Sequence, residues 1–324
     1  MRAIRLPEVA YGATAVRPDW DDLSASLRDA ISARLGAPVA GAFTAGGGFT
    51  RAFAALLTTV DGDRAFVKAA PLTDPIAGWY AREATVTAAL PAAVPAARPR
   101  WTLEAAGHFV LCLDAIQGQV PTLPWTPTDL DATLAAWRTS AAALSRPDPE
   151  LLRLGLPRLG DIVRDELSWW SEIAARRAPL PPAPAWVPNR LGELVALERG
   201  LPELVTGTGM LHGDLRVDNV LMDGYGAAWL CDWTWPCLGK PWFDTVTLLV
   251  TAYASGLDVD AMLQTWQAPE DGVDGALAAL GGYWLTGAAG GPSSASPHSR
   301  QHQRFSGSQA LAWLAERRGW APPG

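Results

Sequence analysis

Three oxygen-bearing side chains stand close together in the run HGDLRVDNVLMDGYGAAWLCDW, which begins at residue 212. Asp214 and Asn219 are five residues apart, and Asp232 follows thirteen residues after Asn219. The segments NVLMD, GYG and AAWLCD predict strand, turn and strand, so the end of this hairpin returns beside its beginning. Converging carboxylate and amide oxygens suit Mg²⁺, and Asp214 would be free to accept a proton or orient a hydroxyl. Each residue alone could be a turn or cap residue, but their combined spacing favours a functional site.

The lysine usage of the chain indicates a further candidate. Only two of the 26 basic residues are lysines, Lys68 and Lys240, and the rest are arginines. Because Lys68 is flanked by apolar residues in RAFVKAA, it calls for a specific explanation. We interpret Lys240, in the turn CLGKP, as an exposed loop charge.

The hairpin motif resembles the catalytic and metal-binding loops of the aminoglycoside phosphotransferase-like kinases, which include choline kinase-type enzymes. That family's pattern is HGDxxxxN followed by a metal-binding Asp, and it stands here as His212, Gly213, Asp214, Asn219 and Asp232. The resemblance implies that Asp214 is the catalytic aspartate, near the acceptor hydroxyl. It also implies that Asn219 and Asp232 bind the Mg²⁺ ions that bridge the nucleotide phosphates. His212 would support the loop rather than take part in the reaction.

The resemblance requires a lysine and a helix glutamate in the first lobe. Lys68 would reach the α- and β-phosphates as a point charge, which the planar fork of Arg does differently. Glu83 follows fifteen residues later, inside the predicted helix PIAGWYAREATVTAAL, and would hold the lysine in place. An isolated Glu would be read as a solvated helix charge, but this context favours the pair.

A glycine-rich loop precedes Lys68 by one hairpin, where a loop covering the nucleotide belongs. Gly46, Gly47 and Gly48 would let backbone amides approach phosphates closely, although a run of glycines is also typical of a flexible turn. Arg51 stands where a protein kinase has its third glycine.

The run HFVLCLDAIQGQV resembles the linker between two kinase lobes. There the backbone near Leu113 and Ala115 is expected to contact the base of the nucleotide, either ATP or GTP. Several departures disfavour a protein-substrate kinase: Gly213 replaces the Arg of HRD, the metal motif reads DWT rather than DFG, and no APE-like segment follows. Asp244 either braces the catalytic loop, as a later aspartate does in the family, or caps the following helix.

The elements that must position these residues fall into two groups. Residues 1–115 predict a helix from Asp19 to Leu35 and a small antiparallel sheet with one helix inserted after its third strand. Beyond them the pattern is mostly helical, including a long periodic segment, LGDIVRDELSWWSEIAARR. We therefore predict an α+β, bilobal protein-kinase-like fold with a nucleotide-binding lobe (1–115) and a catalytic and acceptor-binding lobe (116–324). Residues 286–304, poor in apolar side chains, predict a mobile loop between the last helices.

Composition and charge exclude other classes of protein. The chain has 324 residues, of which 49% are hydrophobic, enough to bury a core. Its 26 basic against 33 acidic residues argue against binding nucleic acid through phosphate contacts. Three cysteines without paired spacing argue against a disulfide framework or a zinc site. With no signal-peptide core and no long apolar run, we expect a cytoplasmic monomer or homodimer without membrane contact.

The expected partner is a small molecule with a hydroxyl group, because the resembled family phosphorylates aminoglycosides, other antibiotics, choline, homoserine and sugars. An antibiotic acceptor would make the chain a resistance enzyme. Trp169 and Trp170 cannot share one helix face, so one of them could face a cleft and stack on a sugar or a cation, while core packing is the simpler interpretation of most tryptophans. A solvated acidic face is expected for Asp258, Asp260, Glu270, Asp271 and Asp274. The alternative function is a catalytically inactive, nucleotide-binding regulatory module of the same fold.

Overall fold

The first lobe is built on a five-stranded antiparallel sheet in the computed structural model, which describes residues 3–291 and 295–320. The strands lie in the order β1-β2-β3-β5-β4. They are β1 (Val39–Thr44), β2 (Phe53–Thr59), β3 (Arg64–Pro71), β4 (Pro99–Ala105) and β5 (His108–Asp114). Two helices accompany the sheet, α1 (Ala25–Leu35) and α2 (Pro75–Ala89). The predicted α+β class, with one helix inserted after the third strand, is confirmed.

The alternation of side chains along β3 separates a core face from a cleft face. Ala65, Val67 and Ala69 are buried beneath α1, in a cluster that includes Leu27. Lys68 has the opposite orientation and lines a large cavity on the other side of the sheet. Because side chains alternate along a strand, β3 places the ammonium group of Lys68 in the cleft.

Helix α2 covers the cleft side of the sheet. Its start is fixed locally, because Pro75 occupies the first turn and the side chain of Asp74 accepts a hydrogen bond from Ile76 N at 2.9 Å. The helix buries Tyr80 and Glu83 against the sheet. Glu83 is thereby placed opposite Lys68.

The second lobe is mostly helical. Its helices are α3 (Pro127–Ala143), α4 (Pro149–Leu152), α5 (Leu159–Glu166), α6 (Trp169–Ala174), α7 (Leu191–Leu204), α8 (Trp242–Ala254), α9 (Val259–Gln264), α10 (Glu270–Ala289) and α11 (His298–Arg318). Short strands lie between them: β6 (Gly118–Gln119), β7 (Gly209–Leu211), β8 (Val220–Asp223), β9 (Ala228–Leu230) and β10 (Cys237–Gly239). Within residues 3–291 and 295–320, no helix combines the length and apolarity needed to cross a membrane.

Tryptophans fill the core of this lobe, as the simpler interpretation predicts. Trp137, Trp170, Trp233 and Trp313 are completely buried. Their indole N–H groups are satisfied inside the core; Trp170 Nε1, for example, donates to the carbonyl of Ala278 at 2.7 Å.

The long periodic segment before the Pro-rich break is two helices, not one. Helix α5 ends before Leu167, and α6 begins at Trp169. The carboxylate of the buried Glu198, on α7, accepts hydrogen bonds from the backbone of Trp170 (3.0 Å) and Ser171 (2.8 Å). A distant side chain thus satisfies the first amides of α6, which a local pattern cannot reveal.

The prediction of a loop over residues 286–304 is wrong at both ends. Helix α10 continues to Ala289 and α11 starts at His298, so the connection is shorter; residues 292–294 lie outside the described part. A Cβ on Gly281 would lie 2.7 Å from Leu311, and a Cβ on Gly307 would lie 2.8 Å from Leu285. Small residues therefore let the two helices pack closely against each other.

The predicted solvated acidic face is only partly correct. Asp258, Glu270 and Asp271 are exposed. Asp274 is buried and accepts a hydrogen bond from Arg317 Nε at 2.5 Å, and Asp260 also pairs with Arg317. These two acids hold α9 and α10 to the end of α11, because a buried carboxylate requires a paired cation.

Candidate active site

The motif HGDLRVDN forms a loop between β7 and β8 that turns back on itself. A short 3₁₀ turn covers Val217–Asn219, and β8 then pairs antiparallel with β9. Cys231, just after β9, donates its N–H to the carbonyl of Asn219 at 2.8 Å. This contact brings the next residue, Asp232, beside Asn219, and confirms the predicted strand, turn and strand.

Asn219 is fixed by its own amide group. Its Nδ2 donates to the backbone carbonyl of Asp214 at 2.7 Å and lies 3.3 Å from Asp214 Oδ2. With Nδ2 engaged in this way, Oδ1 is the acceptor atom that the Asn219 side chain can offer to a ligand. Asn219 also lines the same cavity as Asp232 and Lys68.

His212 and Asp244 support the loop from below. His212 is buried; its Nε2 lies 2.8 Å from the carbonyl of Cys231, and its Nδ1 accepts from Asp214 N at 3.3 Å. The buried Asp244 carboxylate accepts from His212 N at 2.7 Å and from Gly213 N at 3.2 Å. The N-cap residue of α8 is Pro241, so the cap interpretation of Asp244 is wrong and the bracing interpretation is confirmed. Burial raises the pKa of Asp244 to about 7, and the two backbone donors act in the opposite direction.

Two charged residues of the same loop, Arg216 and Asp218, were not predicted from the sequence to belong to the site. Arg216 makes a two-pronged pair with Asp218, with Nε–Oδ1 at 3.1 Å and Nη2–Oδ2 at 3.0 Å. Its remaining nitrogen, Nη1, donates to Asp214 Oδ1 at 2.5 Å. The alternation of charge in DLRVD could have suggested such a network. Its consequence is that Asp214 is held by Arg216 on one side and by Asn219 on the other.

The electrostatics of Asp214 reflect the burial of its side chain, which is 23% exposed and is not among those that line the cavity. Burial raises its pKa to about 7, whereas Arg216 acts to lower it. Asp218 and Asp232 add negative potential, which raises the pKa further. A carboxyl group whose pKa lies near neutral pH is suited to accept a proton from a hydroxyl.

The first lobe contributes a buried ion pair. Lys68 Nζ lies 2.6 Å and 2.8 Å from the two carboxylate oxygens of Glu83, and 3.8 Å from Asp232 Oδ1. The ring of Tyr80 lies 5.3 Å from the ammonium. Burial tends to lower the pKa of Lys68, but Glu83 and Asp232 raise it by more, so the ammonium stays charged. The lysine therefore joins α2 to the loop of Asp232.

Asp232 and Asn219 offer the oxygens on which a divalent metal could bind. Asp232 has a left-handed backbone (φ 62°), and its Oδ1 accepts from Thr234 Oγ1 at 2.7 Å. The carboxylate is partly exposed to the cavity, and Lys68 acts against the effect of burial to lower its pKa. Within the described residues, no three His, Cys, Asp or Glu side chains form a metal-holding group. One carboxylate and one amide oxygen fit Mg²⁺ if phosphate oxygens complete its coordination.

A cavity of about 700 Å³ lies between the two lobes. It extends from Leu113, at the end of β5, to Lys68, Glu83, Asn219 and Asp232. Ala115 is not among the residues that line it; its neighbours Asp114 and Ile116 are. A volume of this size is sufficient for a nucleotide.

The glycine-rich loop between β1 and β2 covers one side of this cavity, and all three glycines line it. Gly48 has a left-handed backbone (φ 93°), and a Cβ there would lie 2.7 Å from Arg17 Nη2. Arg17 donates to the carbonyls of Gly47 and Ala52, each at 3.0 Å. The sequence did not identify Arg17, which holds the loop in a curved conformation.

Comparison with known proteins agrees with this arrangement. Residues 22–282 match the family model described as the phosphotransferase enzyme family. No curated protein matches the sequence. The matched range includes the candidate hairpin, the lysine strand and the glycine-rich loop, but omits both ends of the chain.

Solved structures share the fold at low sequence identity. A thermostable mutant of aminoglycoside phosphotransferase APH(4)-Ia, in a ternary complex with AMP-PNP and hygromycin B, has a TM-score of 0.62 and 15% identity over 90% of this chain and 98% of that one. Choline kinase LicA from Streptococcus pneumoniae has a TM-score of 0.56 and 15% identity over 90% and 98%. Spectinomycin phosphotransferase APH(9)-Ia, with ADP and spectinomycin, has a TM-score of 0.57 and 10% identity over 92% and 94%. At such identities the likeness establishes the fold.

Proposed function

The chain belongs to the phosphotransferase enzyme family, and on that premise we propose that it transfers the γ-phosphoryl group of ATP or GTP to a hydroxyl of a small molecule. The acceptor class is an aminoglycoside or other antibiotic, an amino sugar or an amino alcohol. The observation that carries the proposal is the contact of Lys68 with both Glu83 and Asp232. It unites charged groups of both lobes at the end of one cavity.

Each group has a defined task in this reaction. The base of the nucleotide would lie near Leu113, and Lys68 would bind the α- and β-phosphates. Asn219 and Asp232 would hold Mg²⁺, which supplies positive charge against the phosphate oxygens when it is bound. Asp214 orients the acceptor hydroxyl and receives its proton as the new oxygen–phosphorus bond forms. The bond from the γ-phosphorus to the bridging oxygen breaks, which yields a nucleoside diphosphate and a phosphate monoester.

The site is suited to aligning the reactants rather than to forming a covalent intermediate with the protein. Asp214 is held through Arg216 and Asn219, and the loop beneath it is held by His212 and Asp244. A carboxylate fixed in this way can align a hydroxyl without reorganisation during the reaction. Most of the rate enhancement is therefore expected from alignment and charge.

The test is a screen for nucleoside diphosphate release with aminoglycosides, peptide antibiotics, amino sugars and amino alcohols, using ATP and GTP in turn. Phosphate monoester formation is confirmed by ³¹P NMR. Asp214→Asn should abolish transfer but keep nucleotide binding, and Asp232→Ala should lose the metal-dependent part of that binding. Asp29→Asn, at an exposed position on α1, is the matched control. Transfer at the wild-type rate by Asp214→Asn would refute the role of Asp214.

The same experiment separates the alternative function. A regulatory module would bind Mg·ATP or Mg·GTP in calorimetry without transferring phosphate to any acceptor. In that case Asp214→Asn would leave every measured property unchanged.

A further inference from the structure

The glycine-rich loop is held by segments near the two ends of the chain, both of which lie outside the range that matches the family model. We propose that residues 5–17 and 295–302 form part of the nucleotide site, where they position the glycine-rich loop and must release it before nucleotide can exchange. The proposal rests on the proposed function, because it assumes that the cavity binds a nucleotide.

The N-terminal segment is anchored on the second lobe and continues to the glycine-rich loop. Arg5 N donates to the carbonyl of Ala254, at the end of α8, at 2.7 Å. Further along, Ala15 N donates to the carbonyl of Gly46 at 2.8 Å, and Thr14 Oγ1 donates to the carbonyl of Gly48 at 3.3 Å. The segment therefore ties the loop of the first lobe to the helices of the second.

Two of the glycines are needed for contact with this segment. A Cβ on Gly46 would lie 2.3 Å from the carbonyl oxygen of Gly12, and a Cβ on Gly47 would lie 3.2 Å from that of Tyr11. Any side chain at position 46 would force the two backbones apart. Glycine at these two positions thus allows the loop to pack against the N-terminal segment, in addition to allowing its backbone to approach phosphates.

The residues that precede α11 hold the other side of the loop. Ser296 N donates to the carbonyl of Phe49 at 2.7 Å, and its hydroxyl donates to the carbonyl of Thr14 at 2.6 Å. Arg51 Nε donates to the carbonyl of Ala295 at 3.0 Å. Ser296 is completely buried, so it joins the loop, the N-terminal segment and the start of α11 at one point.

The ring of Phe49 connects this junction to the catalytic loop. It stacks on His302 with 4.9 Å between ring centroids, and the guanidinium of Arg216 lies 5.6 Å from its centre. Tyr11 Oη lies 2.7 Å from His302 Nδ1, which fixes the histidine from the N-terminal side. Phe49 is thereby held above the residue that contacts Asp214.

The same segment lines the cavity. Its lining includes Leu6, Pro7, Ala10, Tyr11 and Gly12, on the side where the glycine-rich loop and Val120 also lie. A nucleotide in the cavity would therefore touch this wall. Movement of the loop away from this wall would break the bond from Ser296 N to Phe49 and separate the ring of Phe49 from His302, which Tyr11 holds in place.

The test uses the full chain with Tyr11→Phe, Ser296→Ala and their double variant. Each substitution removes one hydroxyl from the junction, while Ser145→Ala removes an exposed hydroxyl that donates to the carbonyl of Ala142, near the end of α3, and serves as the control. Release of methylanthraniloyl-ADP and methylanthraniloyl-GDP is followed by stopped-flow fluorescence in the presence of Mg²⁺. Hydrogen exchange of residues 46–54 is measured on the protein alone.

The double variant loses the contact of Tyr11 with His302 and the contacts of the Ser296 hydroxyl with Thr14 and with His298 N. This loss should accelerate release by about tenfold or more, with faster exchange in residues 46–54 and no change in Ser145→Ala. Unchanged exchange in the double variant would overturn the proposal, as would faster exchange without faster release. If the wild-type chain binds neither probe, the proposed function fails and the role in nucleotide release fails with it, whatever the exchange data show.

Discussion

Removal of the Asp244 carboxylate is the most direct test of how the catalytic loop is held. This side chain is 1% exposed and accepts two backbone N–H groups, from His212 at 2.7 Å and from Gly213 at 3.2 Å. In Asp244→Ala both donors are left in a buried site without their acceptor. Asp214 follows Gly213 directly, so any shift of this turn moves the candidate catalytic carboxylate.

The expected size of the effect follows from these contacts. Hydrogen bonds to a charged acceptor contribute about 1.5–3 kcal/mol each, and buried donors left unpaired add a cost of similar size. We expect Asp244→Ala to lower the free energy of unfolding by about 3–5 kcal/mol. A displacement of Asp214 of about 1 Å would reduce kcat by about 100-fold. Nucleotide affinity should change little, because Lys68 and Asp232 keep their positions.

The assay pairs urea unfolding with diphosphate release. Asp223→Ala is a suitable control, because Asp223 also accepts two backbone N–H groups, from Tyr225 and Ala227, both at 2.9 Å, but in an exposed turn. Its other carboxylate oxygen accepts from Trp229 Nε1 at 3.0 Å, so the control removes at least as many hydrogen bonds as Asp244→Ala does. We expect that control to cost about 1 kcal/mol or less, with kcat unchanged. Asp244→Asn retains one acceptor oxygen and should fall between the two, which keeps the test usable if Asp244→Ala does not fold.

Two outcomes would refute this reasoning. Equal losses of stability in Asp244→Ala and Asp223→Ala would show that burial of the acceptor does not determine the cost. A folded Asp244→Ala protein with wild-type kcat would show that the carboxylate does not position Asp214.

Three further predictions follow from the site. Glu83→Gln should weaken nucleotide binding by about tenfold, because the Lys68 ammonium loses a charged acceptor at 2.6 Å; calorimetry with Mg·ATP measures this, and unchanged affinity would contradict it. Arg216→Met should reduce kcat more than it raises the KM for nucleotide, since Arg216 holds Asp214 and not the base; steady-state kinetics decides, and an effect on KM alone would argue against it. Burial lowers the pKa of His212 to about 4, so between this value and about 6.5 the unfolded chain binds a proton that the folded chain does not. His212 therefore makes the free energy of unfolding fall as the pH falls, by up to about 3 kcal/mol. Between about pH 7.5 and about pH 4.5, urea unfolding should show a larger decrease in this free energy for wild type than for His212→Gln. Equal decreases in the two proteins would contradict the lowered pKa of His212.

The parts of the site that were predictable depend on short stretches of chain. The hairpin that brings Asp232 beside Asn219 closes over thirteen residues, and its turn residues can be recognised in the sequence. The cleft-facing side of Lys68 follows from the alternation of β3, and that of Glu83 from the helix inserted after it. In each case one local element determines the position of the side chain.

The remaining parts depend on partners that are distant in sequence. At the start of a helix, Asp244 has the same local signature whether it caps the helix or braces another loop, and its contact with His212, 32 residues earlier, decides between the two. The division between α5 and α6 depends on Glu198, which lies beyond the Pro-rich break. The contact between Tyr11 and His302 spans 291 residues and has no local signal at all. These features depend on how the whole chain packs, so a local sequence pattern does not predict them.

The charges that meet in the cleft give an independent reason to expect a divalent cation with the nucleotide. Each of the two cations contacts two carboxylates, Lys68 those of Glu83 and Asp232, and Arg216 those of Asp214 and Asp218. These four carboxylates therefore outnumber the two cations that they contact. Asp232 raises the pKa of Asp214 and of Glu83, so this excess of negative charge acts on the neighbouring carboxyl groups. Bringing a triphosphate into the same space adds several negative charges in a partly buried site, where their repulsion is poorly screened. A bound Mg²⁺ would offset that repulsion, so nucleotide affinity should depend on Mg²⁺ much more steeply in wild type than in Asp232→Asn, which lacks one of these four carboxylates. Equal dependence on Mg²⁺ in the two proteins would place the cation elsewhere.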